Sequence, residues 1–216
     1  MRSHARWRPW AGLVAGSAAL TASAHAESNY VTALIGSMSA TAHLDFVVTI
    51  PRVLYLRVGT GTDDASAGAV DLVSFTVPAG SMGNGTPVVA TGGDLGAGAV
   101  TVRVRGNGGD ITLNSNTSGP LHNGIAARQI GWNRITVTPA PLPTTTNGFT
   151  NGVITHPAFN GAGGPGSAVL LTSAGNRVQR EGKWTYGYAN VDVLAAGTYG
   201  GAGVNNGRVT YTAVMP

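Results

Sequence analysis

The chain has 216 residues, 13 Lys and Arg against 9 Asp and Glu, 33 glycines and no cysteine, and only 10% of its residues are charged. Without cysteine there is no disulfide framework and no Cys-containing zinc set. Sparse charge and abundant glycine argue against long solvent-exposed helices, which draw on Glu, Lys, Ala and Leu; Thr, Val, Ser, Asn and Gly are instead the residues of strands and tight turns.

The first 26 residues have the layout of a signal peptide. A cationic stretch with Arg2, Arg6 and Arg8 precedes an apolar run from Trp10 to Ala22, and Ala24-His25-Ala26 offers small residues at the positions a signal peptidase requires. The run is too short and too rich in Gly and Ala for a membrane span, which takes about 20 strongly apolar residues. The expectation is export across a Gram-negative-type envelope, to the periplasm or the extracellular surface, with residues 27–216 forming a single β domain. Ten cations and nine acids remain after residue 26. Such a near-neutral chain lacks the basic stripe that nucleic-acid binding needs.

Period-two alternation marks the strands. Leu44, Phe46, Val48 and Ile50 share one face, opposite Asp45 and Thr49. The same parity resumes after Pro51-Arg52 as Leu54, Leu56 and Val58, so Pro51 either bends one long strand or separates two that feed one core. Val73, Phe75 and Val77 follow. Val100, Val102 and Val104 alternate with Thr101, Arg103 and Arg105, and Gly106-Asn107-Gly108-Gly109 then predicts a hairpin into Ile111 and Leu113. Ile135 with Val137, Val169 with Leu171, and the trio Trp184, Tyr186 and Tyr188 predict further strands. The last carries Val209, Tyr211, Ala213 and Met215 after the turn residues Asn205-Asn206-Gly207. Eight to ten strands with turn signals between them predict a β-sandwich. Residues 59–69 read as an exposed loop and residues 139–168 as a long surface excursion.

The residues that carry chemistry are few. His43, His122 and His156 are isolated in the sequence, no Ser lies in a Gly-x-Ser-x-Gly elbow before a helix, and the acids are scattered. The expectation is a non-enzyme with no catalytic residue, metal or cofactor. Asp63-Asp64, with Asp71 beyond, could line a calcium site but match no defined calcium loop, and the plainer reading is a solvated acidic turn. Arg103 and Arg105 could meet an anionic polymer or simply protect a strand edge from aggregation. Trp184, Tyr186 and Tyr188 could stack on sugar rings or fill the core with their large side chains.

The C-terminal stretch offers the one resemblance. Trp184-Thr-Tyr-Gly-Tyr-Ala-Asn190, then Ala196-Gly197-Thr198-Tyr199, then Val209-Thr-Tyr-Thr-Ala-Val-Met-Pro216 resembles the C-terminal end of chaperone–usher pilins and of spore-coat-U-type secreted subunits, over about the last 30 residues. The resemblance implies an immunoglobulin-like sandwich, incomplete in itself, whose groove is filled by a neighbour's N-terminal segment, a case of β-strand addition. Residues 27–42 would be that donor strand, with Val31, Ala33 and Ile35 on one face and Tyr30, Leu34 and Met38 on the other; alternatively they are the domain's own first strand. Partners would be copies of itself or related subunits, a periplasmic chaperone and an outer-membrane usher. This chain departs from the pattern in lacking the disulfide many such pilins carry, in its greater length, and in the Ile50-Pro51-Arg52 break. The resulting expectation is a structural subunit of a fimbria-like or other cell-surface assembly. The alternative is a monomeric carbohydrate- or ligand-binding module using loops 59–69 and 139–168.

Overall fold

Alternation in residues 99–117 supplies both layers of the core. In the computed structural model, which describes residues 28–216, Val100, Val102 and Val104 project from one sheet while Ile111 and Leu113 project from another, all of them buried. The signal-peptide reading of residues 1–26 lies outside the described residues. Those that are described fall into two units divided at Ile50–Pro51.

Residues 28–50 contain no helix or strand, and their side chains are exposed. A bend at 34–36 includes Gly36 at φ +103°, in the left-handed region. The strand expected over Leu44–Ile50 is therefore not formed. Alternation specifies which side chains share a face, but a ladder also needs a partner edge, and the described residues of this unit, 28–50, hold none.

Residues 51–216 carry fourteen strands: β1 Leu54–Val58, β2 Val73–Ser74, β3 Val88–Val89, β4 Thr91–Gly92, β5 Ala99–Gly106, β6 Ile111–Thr117 and β7 Leu121–His122, then β8 Gln129–Ile130, β9 Ile135–Ala140, β10 Thr150–Asn151, β11 Gly164–Pro165, β12 Val169–Leu171, β13 Val178–Tyr188 and β14 Val209–Val214. Short 3₁₀ turns at Ala79–Ser81 and Trp132–Arg134 are the helical elements among them. No helix among the described residues is long and apolar enough to cross a membrane.

The fold is all-β and sandwich-like. The larger sheet runs β1-β5-β13, with β9 and β10 along the far side of β13 and β3 pairing its end. In the smaller, β6 is flanked by β14 on one side and by β11 and β12 on the other. The core between them joins Val100, Val102, Val104, Val178 and Trp184 to Ile111, Leu113 and Leu171. β13 is eleven residues long because three kinds of neighbour use it: β5 pairs along Val178–Thr185, β9 along Lys183–Tyr188, and β10 runs parallel beside Arg180 and Glu181.

Four sequence expectations are corrected here. The glycine-rich turn after β5 is no hairpin, because β5 and β6 belong to different sheets; the chain arches between layers so that both strands bury their apolar faces against each other. β5 is interior to its sheet, so Arg103 and Arg105 protect no edge. Of the Val73–Val77 stretch only Val73–Ser74 is strand, although the Phe75 ring still packs 6.2 Å from that of Tyr188. Residues 139–168 are a surface excursion only in part, with 143–148 mostly exposed. They finish β9, add β10 and β11, and drive Ile154, His156 and Pro157 into the interior. Pro and Gly content reads as loop, but the Val153–Phe159 run carries enough apolar area to be buried.

Candidate functional site

The last strand lies at one edge of the smaller sheet. In β14, Val209, Tyr211 and Ala213, with Met215 just beyond, turn toward the core and are half-buried, while Thr210, Thr212 and Val214 are exposed. β14 pairs with β6 and with no other described strand; β1 pairs only with β5. These two strands pack beside each other, so two strand edges, one from each sheet, border the same seam. Core-facing residues along it are incompletely covered: Leu54 is 41% exposed, and Leu56 and Val58 are half-buried. A strand edge with its backbone groups unpaired is a ready template for another strand.

One end of the seam is fastened by side chains. Asn107 accepts from Val53 N–H at 2.7 Å and donates to Pro51 O at 2.8 Å. The Arg52 guanidinium donates to Pro216 O, and Gly108 N–H approaches Met215 Sδ at 3.2 Å. The start of β1 and the end of β14 are thereby tied together.

Behind β14 lies an aromatic centre that sequence spacing did not bring together. His156 Nε2 is 2.7 Å from Tyr211 Oη, which is 2.8 Å from Tyr186 Oη. The imidazole meets Trp184 and Phe159 edge-on, with ring centroids 4.6 Å away in each case. Trp184 Nε1–H donates to Ile154 O at 2.7 Å, fixing the buried indole to the segment that carries His156. Burial lowers the His156 pKa to about 4, so the ring is neutral near pH 7. It raises Tyr186 to about 12 and Tyr211 well above the ordinary phenol value, the neighbouring Tyr186 adding to the latter shift. The Tyr211 hydroxyl thus links the imidazole of His156 to the phenol of Tyr186, and this chain of hydrogen bonds orders the packing.

Outward of His156 is an open groove of about 400 Å³ beside β9, lined by Trp132, Ile135, Val137, Pro139, His156 and Phe159 among others. Trp132 donates through Nε1–H to Gly119 O at 2.7 Å, and its ring lies 5.1 Å from that of Phe159.

The opposite face of the larger sheet is polar but closed. Arg103 spans Glu181 at 3.0 Å and Asp63 at 2.5 Å; Glu181 is fully buried and also accepts from Thr146 N–H at 2.6 Å. Arg57 reaches Asp63 and Asp94, each at 3.4 Å, and Arg105 pairs with Asp64. The Arg105 guanidinium lies 4.4 Å from the centre of the Phe149 ring. The Arg103 bond holds the Asp63 carboxyl below its ordinary value, and Arg57 adds to this. Asp63-Asp64 do form a turn with partly exposed side chains, and they also fasten loop 59–69 to the arginines. Asp71 lies apart, accepting from Thr60 N–H at 2.6 Å and from Thr60 Oγ1–H at 2.7 Å. Among the described residues no three His, Asp or Glu side chains cluster so as to hold a metal ion.

The remaining sequence candidates are dispersed. Trp184 and Tyr188 are 1% and 5% exposed, so neither offers a ring face to a ligand, and Tyr186 faces Tyr211 inside. Tyr30, Val31, Ala33, Leu34, Ile35 and Met38 lie in residues 28–50, which form no strand, and all are exposed. Phe159 and Trp132 escaped the sequence reading, and His156 was read only as an isolated histidine; the one local signal was the apolar run Val153–Phe159 inside a Pro- and Gly-rich region. Compared with known proteins, the chain matches no family model, no curated protein and no solved structure.

Proposed function

We propose that this chain is an exported, non-enzymatic structural subunit of a fimbria-like or other cell-surface assembly, joined copy to copy by β-strand addition. The observation that carries the reading is the seam: the unpaired edges of β1 and β14 border a core whose residues Leu54, Leu56, Val58 and Ala213 are only partly covered. A strand laid there completes backbone hydrogen bonding and covers apolar area in one step. The exposed, strandless segment 28–50 supports the same reading, as it has side chains to donate and no ladder of its own. Export rests on the N-terminal signal pattern, and the partners are copies of the chain or related subunits, delivered by a periplasmic chaperone and an outer-membrane usher. The test is expression of the full chain in a bacterial periplasm, followed by light scattering across a concentration series and electron microscopy of cell surfaces. Oligomers or filaments are expected; a monomer at every concentration, with no filaments on cells, refutes the reading.

The groove beside β9 favours a second reading, a secreted carbohydrate- or ligand-binding module, since about 400 Å³ of apolar and aromatic wall suits a small molecule. Saturable quenching of tryptophan emission by glycans, from a protein that stays monomeric, would favour it.

A further inference from the structure

We propose that residues 44–50 of one copy, rather than 27–42, form the strand that a second copy accepts, laid along the unpaired edge of β14 with Leu44, Phe46, Val48 and Ile50 turned into its seam with β1. This rests on the assembly reading above and specifies its contact.

Two surfaces of the same chain are each incomplete, and they match. Leu44, Phe46, Val48 and Ile50 are 69%, 84%, 84% and 76% exposed. Four large apolar side chains on alternate positions form the inward face of a strand, yet these residues form none in the structure. Along the seam, Leu54, Leu56, Val58, Tyr211, Ala213 and Met215 line a core face with open cover. The lengths agree, a seven-residue segment against the six residues of β14. The opposite face of the segment, Asp45, Val47 and Thr49, carries its one charge, which would stay in water.

The upstream stretch is the poorer donor. Its chain bends at 34–36, with Gly36 at φ +103°, which breaks the extended backbone a continuous ladder needs. Its large side chains also divide between two faces, Val31 and Ile35 on one and Tyr30, Leu34 and Met38 on the other, so no register buries them together. The choice of a second copy follows from the assembly reading. Between Ile50 and β1, Asn107 binds Pro51 O and Val53 N–H, and Arg52 binds Pro216 O. Residues 51–53 are thus held in place where the chain enters β1, and a neighbour's seam is what the assembly reading gives the segment to occupy.

The experiment uses the full chain, with the periplasmic oligomer as readout. The double variant Phe46→Asp/Val48→Asp should raise the concentration for half-assembly at least about tenfold, since charge replaces two buried apolar side chains. Val47→Asp, on the water-facing side, and Leu34→Asp/Ile35→Asp should leave it within about twofold. Because the chain has no cysteine, a second readout is clean: Val47→Cys and Thr212→Cys, purified as separate proteins and mixed, should cross-link into a disulfide-bonded pair. Circular dichroism matching the parent shows that each variant is folded. Loss of assembly with Leu34→Asp/Ile35→Asp but not with Phe46→Asp/Val48→Asp overturns the proposal and leaves the assembly reading standing. A chain carrying both cysteines that cross-links only within itself, as a monomer, overturns it in favour of self-closure. Absence of any oligomer from the parent chain overturns both.

Discussion

Arg103→Met is the sharpest test of the closed charged face. Glu181 is fully buried and has two partners in the structure, the Arg103 guanidinium at 3.0 Å and Thr146 N–H at 2.6 Å. Methionine keeps most of the side-chain length and removes the charge, leaving a carboxylate sealed from water with one hydrogen bond. Breaking a buried pair from one side costs about 3–5 kcal/mol. The Asp63 contact adds little, because that carboxyl is 30% exposed and pairs open to solvent contribute at most about 1 kcal/mol. With a urea dependence of about 2 kcal/mol/M, the unfolding midpoint should fall by about 2 M at unchanged slope. The double variant Arg103→Met/Glu181→Met removes both charges and should recover most of that loss, since a buried pair replaced by apolar groups is close to neutral. A single variant within about 0.5 kcal/mol of the parent, or a double variant as unstable as the single, would refute the reasoning.

Three further outcomes follow from the interior. His156 has a folded pKa of about 4 against 6.5 in the unfolded chain, so the unfolded state takes up its proton first; stability falls as pH drops from about 6.5 to about 4, by up to about 3 kcal/mol, and the difference between parent and His156→Gln urea midpoints should vary with pH only across that window. Trp184→Phe removes the N–H donated to Ile154 O at 2.7 Å and leaves a buried carbonyl unpaired, which should cost about 2–4 kcal/mol in chemical denaturation. A Cβ added at Gly182 would stand 2.5 Å from Gly152 O and 3.1 Å from Ala140 O, so Gly182→Ala should lower the thermal midpoint through a loss of about 1–3 kcal/mol, while Gly175→Ser, where no atom lies within 4 Å but φ is +57°, tests backbone strain separately from crowding.

What could be read from the sequence was what periodicity encodes. The inward faces of β5 and β14, Val100–Val104 and Val209–Met215, follow directly from alternation, because a pleated strand turns every second side chain the same way. Which strands pair is set by long-range contacts that alternation does not encode. Hence the arch after β5 looks like a hairpin, and the arginines of β5 look like the decoration of an edge. Their acidic partners come from residues 40 or more positions away, and Glu181 reads locally as one more charge between Arg180 and Gly182. The His156 centre was hidden for a related reason: its members come from β13, β14 and the Val153–Phe159 run, joined by long-range packing and hydrogen bonds. The seam could be foreseen in part, since an apolar final strand was evident, but its unpaired edge is a property of the sheet order.

β13 also sets a timetable. β3, β9 and β10 each find their described ladder partner in β13, and all three precede it in the chain. As the polypeptide emerges from the ribosome, those segments have no strand to zip against until residue 188 is out, so the larger sheet condenses late and nearly at once. Until then the edge of β5 that β13 pairs is open, and a strand with an unpaired edge is prone to aggregate.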